Sequence, residues 1–304
     1  MDWNPLINTL EDEGEKFTIV RPGLTLFFTS PRPVQELGPT AAAALERYLA
    51  FIPPGGVDHY LASSGEYKKI NPRTLPATLK RLREVDADTE WEEFHFTQGV
   101  SGGVGDYGAH FNASNRSDKD DLPLETNVLL LEFPTDQLTR TPPDAFLEFA
   151  VGVANLIGVN SGVGGYAFKY PQMIFDDEAR EFIAAKALRY LGLDISYLDV
   201  REDLAGRIHN VSWLTFLGPS VLDELGGQAA LRKALPKDFA FIALQEGLVI
   251  RAAEQPMVGD VNRGAPDVGP LRKLAAVTKP VRLDTDYLGV DDDLFAGRWL
   301  KRLD

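Results

Sequence analysis

The chain has 304 residues, with 31 Lys and Arg against 45 Asp and Glu, a formal net charge of −14, 44% apolar residues and no cysteine. This is a globular composition, and the length can bury a substantial core as one large domain or as two of about 150 residues. The lack of cysteine excludes a disulfide scaffold, a thiolate metal site and a cysteine nucleophile. The charge disfavours DNA, RNA and anionic lipid; it favours a basic partner, or serves only to keep the chain soluble.

Met1 to Gly14 has neither a basic start nor an apolar stretch, so no secretory signal is expected. No later run is long enough to span a bilayer, and a cytoplasmic, membrane-free protein is expected. Phe17–Val20 and Thr25–Phe28 suggest a hairpin turning at Arg21-Pro22-Gly23-Leu24, where Pro and Gly fit the centres of a type II turn. A helix comes next over Pro39–Ile52 on the stripe Leu45, Tyr48, Leu49 and Ile52, and a weaker helical stripe is Leu75, Leu79 and Leu82. Strands are expected at Glu93–Gln98, around Ala109–Asn112 and at Val128–Phe133. Thr141-Pro142-Pro143-Asp144 opens a helix that presents Phe146, Phe149, Ala150, Val153 and Ile157 and stops at Gly158. A Gly-rich turn then leads into a strand at Tyr166–Tyr170 and a helix over Asp177–Leu191.

The last third reads as a strand at Val211–Leu217, a helix opened by Gly218-Pro219 and ended by Gly226-Gly227, and a hairpin of Phe239–Leu244 with Leu248–Ala252. Two closing helices are expected, near Pro270–Lys279 and over Asp291–Leu303. Hairpin-joined strands interleaved with helices predict an α+β fold whose largely antiparallel sheet is covered by helices. The chain reads as a single domain, 1–304, with a possible division into two lobes near 192–206 (1–195 and 200–304).

Gly103-Val104-Gly105-Asp106-Tyr107-Gly108 spells a dinucleotide fingerprint, but that motif needs a helix at its end and an extended segment stands there instead. Gly99-Val100-Ser101-Gly102-Gly103 spells a nucleophile elbow, which would make Ser101 the nucleophile of a serine hydrolase with His110 and His209 as triad partners. The helix that an elbow requires is absent from the pattern. Both are read as a hairpin turn. The four histidines lack metal-pair spacing, and no cofactor is expected. The carboxylates Asp86, Asp88, Glu90, Glu92, Glu93 and Asp118, Asp120, Asp121 lack the ligand alternation of a calcium loop and read as solvated acidic faces.

Asn210 to Gly227, Asn-Val-Ser-Trp-Leu-Thr-Phe-Leu-Gly-Pro-Ser-Val-Leu-Asp-Glu-Leu-Gly-Gly, resembles a characteristic stretch of the type VI secretion immunity family. Gly259-Asp260-Val261-Asn262-Arg263-Gly264, the later Lys279-Pro280-Val281-Arg282-Leu283, and the closing Phe295–Leu303 with Arg298-Trp299 are similar to further blocks of it. Gly164 to Phe168 is a weaker match, so the resemblance spans about residues 160–304. It implies a non-enzymatic antidote that binds a cognate toxin effector, with many such effectors being nucleases, and it carries over no catalytic residue.

In chemical terms, a nuclease lines its cleft with cations, and an acidic protein can set carboxylates where phosphates would lie. The expected contact residues are Asp86, Asp88, Glu90, Glu92 and Glu93; Asp118, Asp120 and Asp121; and Asp291, Asp292 and Asp293 from the stretch Asp284 to Asp293. A serine hydrolase using Ser101, or a regulatory or scaffold protein, is the alternative.

Overall fold

Apolar residues alternate or run unbroken through the segments expected to be strands, and in the computed structural model these segments join one sheet. The structure describes residues 1–12, 14–99, 103–115, 126–172, 177–196, 204–263, 267–283 and 293–304. Its strands are β1 (Asn8–Asp12), β2 (Glu15–Ser30), β3 (His59–Leu61), β4 (Tyr67–Lys69), β5 (Trp91–Thr97), β6 (Gly108–Ser114), β7 (Asn127–Phe133), β8 (Ser161–Lys169), β9 (Asp194–Ile195), β10 (Leu214–Leu217), β11 (Ala240–Ala243) and β12 (Leu248–Arg251). The helices are α1 (Val34–Phe51), α2 (Thr74–Arg83), α3 (Gln137–Arg140), α4 (Pro143–Ile157), α5 (Asp177–Ala187), α6 (Pro219–Glu224), α7 (Gly227–Ala234), α8 (Gly269–Thr278) and α9 (Asp293–Leu300).

Among the described residues the strands lie in the order β11-β12-β10-β8-β2-β7-β6-β5-β3-β4, with β1 on β2 and β9 on β8. Every ladder is antiparallel except β8 with β9. The fold is therefore α+β with a largely antiparallel sheet. Strand β8 pairs directly with β10, so the sheet runs continuously from elements before residue 192 to elements after 206.

Side-chain alternation gives the sheet two apolar faces. On one, Leu24, Leu26, Phe28, Phe94, Phe96, Phe111, Leu129, Leu131 and Phe133 pack against α1 and α4 through Leu45, Tyr48, Phe146, Phe149 and Val153. On the other, Phe27, Val128, Leu130, Val163 and Phe168 meet Ile183 of α5 and Trp299 of α9. Leu217, Leu248 and Ile250 meet Val221, Leu231 and Leu271 of α6, α7 and α8. Each such fully buried side chain contributes about 1.5–3 kcal/mol.

Three expectations are corrected. No hairpin turns at Pro22-Gly23, because β2 runs straight through them for 16 residues. Pro22 is tolerated because Arg21–Gly23 fall between the segments paired with β1 and β7 and are bonded to β8. Gly23 is small for Lys169, whose side chain occupies the place of a Cβ. Likewise Gly162, Gly164 and Gly165 lie inside strand β8 rather than in a turn, crowded by β2, by Leu214 of β10 and by Ser212 just before it. Helix α1 begins at Val34, so Pro39 lies inside it instead of opening it.

Elsewhere the punctuation works as expected: Gly158 ends α4 at φ +63, and Gly218 caps α6. A Cβ on Gly218 would press into the carbonyls of Val159 and Asn160, whereas Gly269 at the start of α8 has open space and an ordinary helical backbone. Gly218→Ala is therefore expected to cost about 1–3 kcal/mol in urea unfolding. Gly269→Ala is expected to leave stability unchanged or raise it by up to about 1 kcal/mol.

Candidate functional site

The acidic segment begins where α2 ends. The amides of Asp86 and Asp88 donate to Thr89 Oγ1 and Asp86 Oδ1 at 3.1 Å, and Thr89 Oγ1 donates to Asp86 Oδ1 at 2.9 Å. Gln35 of α1 pins this turn by donating from Nε2 to the Thr89 carbonyl at 2.9 Å. Short polar side chains bonding their own backbone make such turns self-supporting. Asp86, Asp88 and Glu90 are exposed along it.

Glu92 and Glu93 belong to β5 and behave differently from the three exposed carboxylates. Glu92 is buried against the α1 and α2 side and is ion-paired with Arg81 of α2. Burial raises its carboxyl above the usual range more than Arg81 lowers it. Arg81 Nη2 also donates to the Glu93 carbonyl at 2.8 Å. Asp118, Asp120, Asp121, Asp291 and Asp292 lie outside the described residues, and Asp293 opens α9.

Glu93 starts a chain of polar side chains across the opposite face of β5, β6 and β7. Its Oε2 is 3.1 Å from His95 Nε2, His95 Nδ1 is 3.1 Å from His110 Nδ1, and His110 Nε2 is 3.6 Å from Glu132 Oε2. Burial holds His95 below its ordinary pKa and so neutral. A carboxylate can only accept, so His95 donates through Nε2, and its Nδ1 accepts from His110. Glu132 is buried, which pushes its carboxyl up, but Lys169, His110 and Arg21 together hold it below the ordinary value. Lys169 is pushed down to about 8 by burial, so it keeps its charge at neutral pH.

Lys169 also explains the Gly-rich turn. Its Nζ donates to the carbonyls of Gly105 and Asp106 at 2.6 and 2.7 Å, and Arg21 pairs with Asp106 at 2.6 Å. Gly105 lies too close to the Gln98 backbone for any side chain, and Gly108 to the Glu132 carboxylate. The turn leads into strand β6 and not into a helix, so neither the dinucleotide site nor the strand–turn–helix of an elbow is built here. Ser101 lies outside the described residues.

The two suggested triad histidines sit in separate clusters. His209 is buried between Phe27 and Trp299, ring centroids 5.9 and 5.5 Å away, and neither of its nitrogens has a hydrogen-bond partner among the described residues. Asp194 Oδ1 stands 3.9 Å from its Nδ1 and accepts instead from Asn210 at 3.1 Å. Buried Arg302 donates to the carbonyls of Leu191 and Trp299, each at 3.0 Å.

The segments that carried the resemblance form core and turns. Trp213, Leu214, Phe216 and Leu217 are buried, and Asp260 accepts two bonds from Arg189, at 2.9 and 3.0 Å, and one from the Asn262 amide at 3.0 Å. A family model described as type VI immunity for VRR-NUC matches residues 41–303. The chain belongs to this family, TsiV. Among solved structures it is similar to the Pseudomonas aeruginosa T6SS protein PA0821, with a TM-score of 0.79 over 99% of this chain and 88% of that one. At 22% identity the likeness is one of fold. No curated protein matches in sequence. Within this TsiV chain, no helix of the described residues is long and apolar enough to cross a membrane.

The sequence reading missed Lys169, Glu132, Arg81 and Trp91. The repeated Phe94-His95-Phe96 and Ala109-His110-Phe111 was a usable signal, because a hairpin pairing them puts both histidines on one face.

Two of the three buried histidines, His95 and His209, make stability depend on pH. His95 and His209 both have folded pKa values below the ordinary 6.5, so above that pH neither state binds the proton and their contribution is complete. As pH falls through 6.5 the unfolded chain takes up protons that the fold resists, and stability declines by at most about 1.4 kcal/mol per pH unit for each until the folded ring is protonated as well. Urea midpoints are expected to drop between pH 7.5 and 5.5, and His209→Phe to remove part of that slope.

Proposed function

We propose that the chain acts in the cytoplasm as a non-enzymatic immunity protein, which binds the nuclease domain of a VRR-NUC effector and keeps nucleic acid out of its cleft. The family supports the pairing with such a toxin. The observation that carries the charge-based mechanism is the exposed row Asp86, Asp88 and Glu90, held in a turn pinned to α1 on a chain of net charge −14.

A nuclease must attract a polyanion, so its cleft concentrates positive potential. Carboxylates on a fixed turn enter that potential along the path of the substrate, and they speed encounter as well as opposing phosphate entry. Rigidity matters because each mobile side chain ordered at an interface opposes binding. Asp118, Asp120, Asp121 and the Asp291–Asp293 segment are further candidates for the same contact. Nuclease and immunity-protein pairs are among the tightest complexes known, and an antidote requires such affinity because any free toxin acts catalytically.

Reversing Asp86, Asp88 and Glu90 together to Lys is expected to slow association with the nuclease domain by about tenfold or more at low salt, with the difference shrinking as salt rises. Stopped-flow mixing reads this directly. If that variant and the corresponding reversals at 118–121 and 291–293 all associate and protect like the parent, the acidic mimic is wrong.

A further inference from the structure

The outer edge of β5 is open along most of its length. Strand β6 pairs with all of Trp91–Thr97, but β3 pairs on the other side only at Phe96 and Thr97. Among the described residues no strand covers Trp91–His95 on that side. The Gln98 amide donates to Tyr107, and the Glu90 carbonyl accepts from Asn115, so the even positions of β5 turn their backbone groups toward β6. Alternation then directs the N–H and C=O of Trp91 and Glu93 outward. The bond from Arg81 to the Glu93 carbonyl agrees with this.

The β3–β4 hairpin diverges from β5 beyond Tyr60, and α2 passes alongside. The gap between them is a groove of about 530 Å³, bordered by Tyr60, Ala77, Thr78, Trp91, Phe94 and Phe96. Trp91 is 49% exposed, in contrast to the fully buried Trp213 and Trp299. Its indole is nevertheless fixed, because Nε1 donates to Asn112 Oδ1 at 2.8 Å. A large aromatic face held in place at the surface is a ready anchor, since no rotamer entropy remains to be lost.

We infer that the nuclease domain of the toxin is gripped by adding one of its extended segments to the outer edge of β5, with alternate side chains lying in this groove and, on the other face of the sheet, against Trp91 as the anchor. The inference rests on the immunity reading above and specifies how the partner is held. Main-chain bonds to the outward groups of β5 supply affinity, and alternate side chains of the segment enter the groove. Charge selects the segment: Asp86, Asp88 and Glu90 lead directly into Trp91, so its outward-facing residues are Lys or Arg alternating with apolar ones. Five residues of β5, about 16 Å at ~3.3 Å each, set the length of the added strand.

The test uses the full chain and the VRR-NUC domain of its cognate effector. Ala77→Trp fills the groove from the exposed side of α2, and Trp91→Ala removes the anchor. Each is expected to weaken binding at least about 30-fold, mainly through faster dissociation, while thermal melting stays close to that of the parent. Hydrogen exchange of the complex should show new protection at the amides of Trp91 and Glu93. If the parent complex forms and both folded variants bind within twofold of it, without that protection, the groove is not the grip and the immunity reading stands. If no complex forms at all, both fall. A dimer of this chain that Ala77→Trp abolishes, with toxin binding untouched, would give the edge to a second copy and overturn the inference.

Discussion

The pairing of β2 with β8 sets the position of nearly every other element. Nine residues of β2, Arg21–Thr29, pair with Lys169–Ser161, and the close approach depends on glycine. A Cβ on Gly162 would sit 2.7 Å from the Phe27 carbonyl, and one on Gly164 2.7 Å from Leu26 Cδ2. With that space kept free, β2 runs straight, β7 pairs on its other flank, and β10 pairs on the far side of β8. The helices then cover a surface whose curvature and register are already determined.

The same ladder delivers Lys169 to the end of β8, beneath the β5–β6 turn. A buried lysine is costly unless it is bonded and faced by an opposite charge. Here two carbonyls accept its hydrogen bonds and Glu132 supplies the charge, so the cation clamps the turn at Gly105 and Asp106. Arg302 is similarly buried, facing Asp194. These internal cations are compensated inside, which leaves the excess of 14 negative charges largely to the surface, where it acts at long range.

Much of the fold was legible in the sequence for reasons of period and punctuation. The stripes Leu45–Tyr48–Leu49 and Phe146–Phe149–Val153 marked α1 and α4, and Gly158 and Gly218 marked true boundaries. The features that stayed hidden had a tertiary cause. Pro22-Gly23 carries turn chemistry, but the turn lost to a long-range ladder and to Lys169. Strands β1, β3, β4 and β9 are short or polar and exist because a neighbour pairs with them, so no local pattern announces them. Helix α7 starts at Gly227, the residue that reads as a stop. At the candidate site, the carboxylates were visible as a run, but only pairing separates Asp86, Asp88 and Glu90, which face solvent, from Glu92 and Glu93, which are held by Arg81 and His95.

An open strand edge beside an apolar groove invites indiscriminate pairing, and proteins guard such edges with charge. In this chain Arg81 occupies the outward carbonyl of Glu93, and the residues entering β5 are acidic. Two copies pairing edge to edge in parallel would bring their acidic turns together and repel. A basic strand meets the opposite situation, because the same carboxylates attract it, and a carbonyl with two lone pairs can accept from it while still holding Arg81. The charge that opposes such pairing would also admit the cationic segment proposed above, so that one short segment of sequence could serve both selectivity and affinity.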